Sequence, residues 1–175
     1  MADYVIDTNV LCCASAADST SPFDDCNHVS VSDRLTVLDW LSAFHADPAK
    51  TLVLDEGGKI LKEYGILTEQ DFGLLVIRDK LGTALHVPVE YDADGHGVVP
   101  DELGSVDKSD RKLAAAALAA TILGDEGRCT IVNAVDTDWY GLEEALGERG
   151  VVVEQLLPSW CLAKYTSKQK KRPGK

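Results

Sequence analysis

A chain of 175 residues, 45% hydrophobic and 26% charged, is sized for one globular domain and has the balance of a folded rather than a disordered protein. Its longest apolar stretch, residues 113–123, is alanine-rich and shorter than the roughly 20 residues that a bilayer-crossing helix needs. The net charge of −12 hides a split: six basic residues and no acid from 164 onward (+6), against 11 basic and 29 acidic residues before it (−18). Residues 1–163 therefore read as a single acidic domain, and residues 164–175 as a basic, flexible tail. An acidic body repels a phosphate backbone, unless its carboxylates hold cations. The tail is either a solvated end or an additional hold on a phosphate chain.

In chain order, residues 4–6 form a short apolar strand that ends in Asp7-Thr8-Asn9, a helix-start pattern. Asp3 and Asp7 lie within this opening run and no basic segment precedes them, so it does not read as a signal peptide. Residues 18–33 are rich in Asp, Ser and Pro and read as a loop. Ser32-Asp33 then precede an amphipathic helix carrying Leu35, Leu38, Leu41 and Ala43 and ending near Asp47-Pro48. Residues 51–54 form a second buried strand, closed by Asp55-Glu56-Gly57-Gly58. One helix follows through Ile60, Leu61 and Tyr64, and another from Thr68 through Phe72, Val76 and Ile77. Residues 86–105, with two prolines and three glycines, read as an irregular excursion. The clearest helix runs from Asp107 through the alanines to Leu123. A strand over 129–135, a helix over 139–148 and a strand over 151–153 complete the body. Continuous apolar strands alternating with helices predict an α/β fold with a central parallel sheet flanked by helices.

Ligands in such sheets gather beyond the carboxyl ends of the strands, and acids recur there. Asp7 ends the first strand, with N-capping as its structural alternative. Asp136 ends the strand over 129–135, and Asp138 is placed to cap the helix after it. Asp110 shares a helical face with Leu113, Ala114, Ala117 and Leu118, while Asp107 reads as the N-cap of that helix. Glu63 shares the inward stripe of Ile60, its alternative being a solvated acid paired with Lys59. Asp55 and Glu56 compete with it at the end of the second strand. Carboxylates brought this close repel and raise one another's pKa, so they call for a cation. Hard oxygen ligands suit Mg²⁺ or Mn²⁺, ions that assist hydrolysis of phosphodiesters. Cys12, Cys13, Cys26, Cys129 and Cys161 lack the paired spacing of a zinc site, and Cys26 with His28 has no second ligand pair. They read as free thiols, and the protein as cytoplasmic.

Four segments resemble the PIN-domain family in the same order. Tyr4-Val5-Ile6-Asp7-Thr8-Asn9-Val10-Leu11 is similar to the strand that opens the family. Ile60-Leu61-Lys62-Glu63-Tyr64 resembles its helical glutamate, and Asp110-Arg111-Lys112-Leu113 with the alanines after it resembles its aspartate-led helix. Ile131–Trp139 looks like its closing strand and paired-aspartate turn. The resemblance implies a three-layer fold and a metal-dependent endoribonuclease. In it Asp7, Glu63, Asp110 and Asp136 are the catalytic acids binding Mg²⁺ or Mn²⁺, with Asp138 a further ligand and Thr8 and Asn9 as supports. Lys62, Arg111 and Lys112 lie near enough in sequence to hold substrate. The resemblance further implies RNA as substrate, an inhibitory antitoxin protein as partner and no membrane, and it is compatible with a homo-oligomer. The alternatives are another metal phosphoesterase, phosphatase or Toprim-like, and a non-catalytic module on the same scaffold.

Overall fold

The computed structural model describes residues 2–124 and 126–171. Its five strands are β1 (Ala2–Ile6), β2 (Lys50–Asp55), β3 (Leu85–Val87), β4 (Cys129–Asn133) and β5 (Val151–Gln155). They form one sheet in the order β3-β2-β1-β4-β5, with every pairing parallel. The chain builds outward from β1 to β2 and β3, then returns to the other side of β1 for β4 and β5. That reversal puts the switch point of the sheet between β1 and β4, where Val5 stands beside Ile131. Crevices at such points, at the carboxyl ends of the strands, are where α/β sheets bind ligands.

Among the described residues seven α-helices flank the sheet to give the expected three layers: α1 (Thr8–Ser15), α2 (Val31–Ala46), α3 (Lys59–Glu63), α4 (Phe72–Lys80), α5 (Arg111–Leu123), α6 (Glu143–Gly147) and α7 (Pro158–Lys171). Helices α1, α2 and α4 pack against one another, and α5 runs across all five strands. The alanines make that crossing close. Ala114, Ala116, Ala117 and Ala120 are fully buried, so the helix backbone approaches strands whose own side chains (Val5, Leu52, Val53, Ile131) fill the core. Helix α4 comes as near to α1 through Gly73, where an added Cβ would lie 2.8 Å from the Leu11 carbonyl oxygen.

Several elements depart from the sequence reading. Helix α2 starts earlier, because Ser30 accepts the Asp33 N–H as its N-cap, and it buries Val37, Leu41 and Phe44 while Leu35 faces solvent. The excursion over 86–105 begins inside a strand, β3, which pairs with β2 at the edge of the sheet and packs against α5. Strand β4 stops at Asn133, since residues 134–136 turn back onto the Asn133 side chain. The helix expected over 139–148 shrinks to α6. Helix α5 begins at Arg111 rather than Asp107: the Asp107 carbonyl closes a turn onto the Asp110 and Arg111 N–H groups, and its carboxylate accepts from Ser109. The basic segment from 164 continues a helix as far as Lys171 instead of trailing as free chain. Cys161 is buried, Tyr165 stacks on Tyr140, and Lys168 pairs with Asp138. Arg172 and Lys175, two of the tail cations, lie outside the described residues. Among the described residues no helix is long and apolar enough to cross a membrane.

Candidate functional site

The site begins where β1 ends. Asp7 takes both roles open to it in the sequence. Its Oδ1 accepts the Asn9 N–H (3.1 Å) and so caps α1, while its Oδ2 accepts the indole N–H of buried Trp139 (2.9 Å). Asp136 comes from the turn after β4, whose shape is set by Asn133. The Asn133 Oδ1 accepts the Asp136 N–H (3.0 Å), and its Nδ2 donates to the Asp136 carbonyl (2.7 Å). Asn9 ties the two strand ends together: its Nδ2 donates to the Asn133 Oδ1 (2.9 Å), and its Oδ1 accepts the Ala134 N–H (2.9 Å). Asp110 stands just ahead of α5 and makes no capping bond, which leaves its carboxylate to face the other two.

Asp7, Asp110 and Asp136 each offer an oxygen within 4.8 Å of the others. Burial and mutual repulsion disfavour their charged forms. Burial chiefly pushes Asp7 up to about 7, helped by Asp136 and Glu63 and opposed by the Trp139 and Asn9 hydrogen bonds. Burial, then Asp7, Asp136 and Asp107, pushes Asp110 up to about 7 as well. Asp136 is raised by burial and by Asp138, with the Asp138 N–H and Lys168 opposing.

The remaining candidates fall around this trio. Glu63 is beside it rather than in it, accepting from the Thr8 hydroxyl and ion-paired with Lys112. Tyr64 explains the aromatic that follows it: its buried hydroxyl donates to the Ile6 carbonyl (2.6 Å), fixing the end of α3 against the end of β1. Asp138 points away to Lys168 (3.1 Å), and only its backbone N–H reaches Asp136 (2.7 Å). Of the proposed substrate cations, Arg111 donates to the Gly104 and Val106 carbonyls, Lys112 is taken by Glu63 and Ser109, and Lys62 is exposed. Asp55 is a structural acid, accepting the Lys59 and Ile60 N–H groups and the Tyr91 hydroxyl, and Glu56 is exposed.

Sequence reasoning missed Trp139 and Asn133, which position Asp7 and Asp136. A polar residue closing an apolar strand was the available signal for Asn133. Trp139 gave none, since its use depends on a contact across 132 residues. Also missed was a cavity of about 550 Å³ opening beside Asp7 and Asp136, walled by Cys12, Cys26, His28, Trp160, Lys164 and others. A separate grouping of Asp92, Asp94 and His96 lies on an exposed turn, where Asp92 Oδ1 accepts the Asp94 and His96 N–H groups.

Compared with known proteins, the chain matches no family model, no curated protein and no solved structure.

Proposed function

We propose that this chain is a metal-dependent phosphodiesterase that cuts RNA, as its PIN-like motifs imply. The observation that carries the reading is the meeting of Asp7, Asp110 and Asp136 at the sheet's switch point, each offering an oxygen within 4.8 Å of the others. One buried and two half-buried acids whose pKa values are driven upward form a poor resting state for a folded protein, and a divalent cation relieves it. The donor set fits: carboxylate oxygens alone suit Mg²⁺ or Mn²⁺ better than zinc or copper. Asp7, Asp110 and Asp136 would hold the ion, with Glu63 at its edge. When bound, the ion would supply a more acidic water and stabilise charge on the phosphoryl oxygens.

The protein's own contribution is orientation. Trp139 and the Asn9 N–H hold the Asp7 carboxylate from both oxygens, and the Asn9–Asn133 pair fixes the turn that carries Asp136. Such outer partners of a metal site affect affinity by about 10–100-fold. Lys112 balances Glu63, keeping a fourth negative charge from adding fully to the trio. An aspartyl-phosphate phosphatase is disfavoured because position 9 carries Asn instead of a second aspartate, and its amide is committed to the Asn133 latch.

The test is incubation of a labelled single-stranded RNA with the protein and Mn²⁺, with EDTA and the Asp7→Asn and Asp110→Asn variants as blanks. Cleavage that requires both metal and both carboxylates supports the reading. Hydrolysis of a small phosphomonoester with RNA left intact supports the phosphatase alternative. No turnover of either leaves a non-catalytic module.

A further inference from the structure

Helix α7 contains four lysines and no acid, in a chain that is otherwise strongly acidic. Trp160, Lys164 and Lys168 are spaced four apart, which places them on one helical face. That face borders the candidate site: all three side chains line the cavity of about 550 Å³ that also takes in Asp7 and Asp136. Across the cavity His28 stands 6.0 Å from the Trp160 ring, centroid to centroid, and the Lys164 ammonium lies over that ring at 5.3 Å. Lys168 is also shared with an adjoining hollow of about 350 Å³ that includes Tyr140 and Tyr165, whose rings stack at 5.3 Å. Aromatic faces alternating with lysines along a groove match what a single strand offers, bases on one side and phosphates on the other. A duplex keeps its bases stacked inside and could present none of them to Trp160.

We infer that α7 is the strand-holding element of this protein: a nucleobase next to the scissile phosphate enters the cavity and stacks on Trp160, with Lys164 and Lys168 on the flanking phosphates. The inference rests on the phosphodiesterase reading of the acidic trio and adds the substrate class, an unpaired strand. It also accounts for how a chain at −12 holds a polyanion. Cations are concentrated on a helix that lines the cavity beside Asp7 and Asp136, whereas Arg111 and Lys112, named near the site from sequence, are committed elsewhere.

The test measures binding of a fluorescein-labelled single-stranded RNA decamer in EDTA, where metal-dependent cleavage is off. Trp160→Ala is expected to weaken binding about tenfold or more, the range of one lost base–aromatic stack, and Trp160→Phe to restore most of it. In Lys164→Ala/Lys168→Ala the slope of log K against log salt should flatten by about 1.4, two phosphates at roughly 0.7 each. An abasic nucleotide scanned along the decamer should cost wild type affinity at one position and cost Trp160→Ala nothing there. Trp160 is only partly buried, and circular dichroism of each variant checks its fold. Wild-type affinity in Trp160→Ala with an unchanged salt slope in the lysine variant overturns the inference, as does duplex RNA binding as tightly as the single strand. The two readings fail separately. Mn²⁺ cleavage that needs Asp110 but ignores Trp160 removes the α7 assignment alone. Trp160-dependent binding without any cleavage removes the phosphodiesterase reading alone.

Discussion

Replacing Asp110 with asparagine should stabilise the metal-free protein while abolishing cleavage. Asp110 moves from an ordinary carboxylate value of 3.8 to about 7, through burial first and then the charges of Asp7, Asp136 and Asp107. A rise of about three units at 1.36 kcal/mol each sets a ceiling of about 4 kcal/mol. Part of this is mutual repulsion that Asp7 shares by taking up a proton, and an asparagine amide still has to be accommodated. About half the ceiling, roughly 2 kcal/mol, is the expected gain, or about 4–8 °C in Tm for a chain of this size. The sign fixes the pH window. Below about pH 4 the carboxyl is protonated in both folded and unfolded chains, so the variant gains nothing. Between about 4 and 7 the unfolded chain ionises while the folded one resists, and wild type falls behind; above about 7 the difference is full. Thermal melts in EDTA at pH 4.5, 6 and 8 read this directly, and Mn²⁺ at pH 8 should raise the Tm of wild type more than that of the variant. An asparagine variant that melts below wild type at pH 8, or an offset that is the same at every pH, refutes the argument and makes Asp110 a structural residue.

Three further outcomes are expected. Apparent Mn²⁺ affinity should tighten as pH rises from 5.5 to 8, since Asp7 and Asp110 must lose protons held up to about 7; calorimetric titration at four pH values measures it, and a flat profile counts against both as ligands. Trp139→Phe removes the hydrogen bond that holds the Asp7 pKa down, so the rise of cleavage with pH should move to higher pH, at a cost of about 1–2 kcal/mol in stability. Asp138→Asn breaks an exposed pair with Lys168, so stability should change by less than about 0.5 kcal/mol and cleavage should persist while RNA binds more tightly. Loss of cleavage as complete as in Asp7→Asn would instead make Asp138 a ligand.

Four of the five strands were legible because β1, β2, β4 and β5 are apolar runs long enough to show. Strand β3 was not, because three residues beside a proline carry no period, and its existence depends on β2. Asp7, Asp110 and Asp136 were found by position, as acids at the strand mouths or at the head of an inward helix face. Glu63 was read from the same kind of evidence, but Lys112 and Thr8 hold it beside the trio, a pairing between α3, α5 and α1 that no local pattern encodes. Helix α7 was obscured by its own charge: its lysines read as a tail, either solvated or holding a phosphate chain, while the anchors Trp160 and Cys161 are only two residues of a mostly polar segment. The cavity beside the carboxylates was invisible for a related reason, since His28 and Cys26 belong to a stretch that reads as loop.

The Asn9–Asn133 latch joins residues 124 apart, and the Trp139–Asp7 bond spans 132. Contacts so distant in sequence are closed late in folding, after the local helices have formed. As the chain emerges from the ribosome, β1 can pair with β2 long before β4 exists, leaving its other edge open. Until β4 docks there, Asp7 lacks its indole donor and Asp136 has no place to stand. A nascent chain that has not reached β4 therefore carries Asp7 and Asp110 without the cluster, and on the proposed reading it cannot cut RNA until the segment through Trp139 has been made.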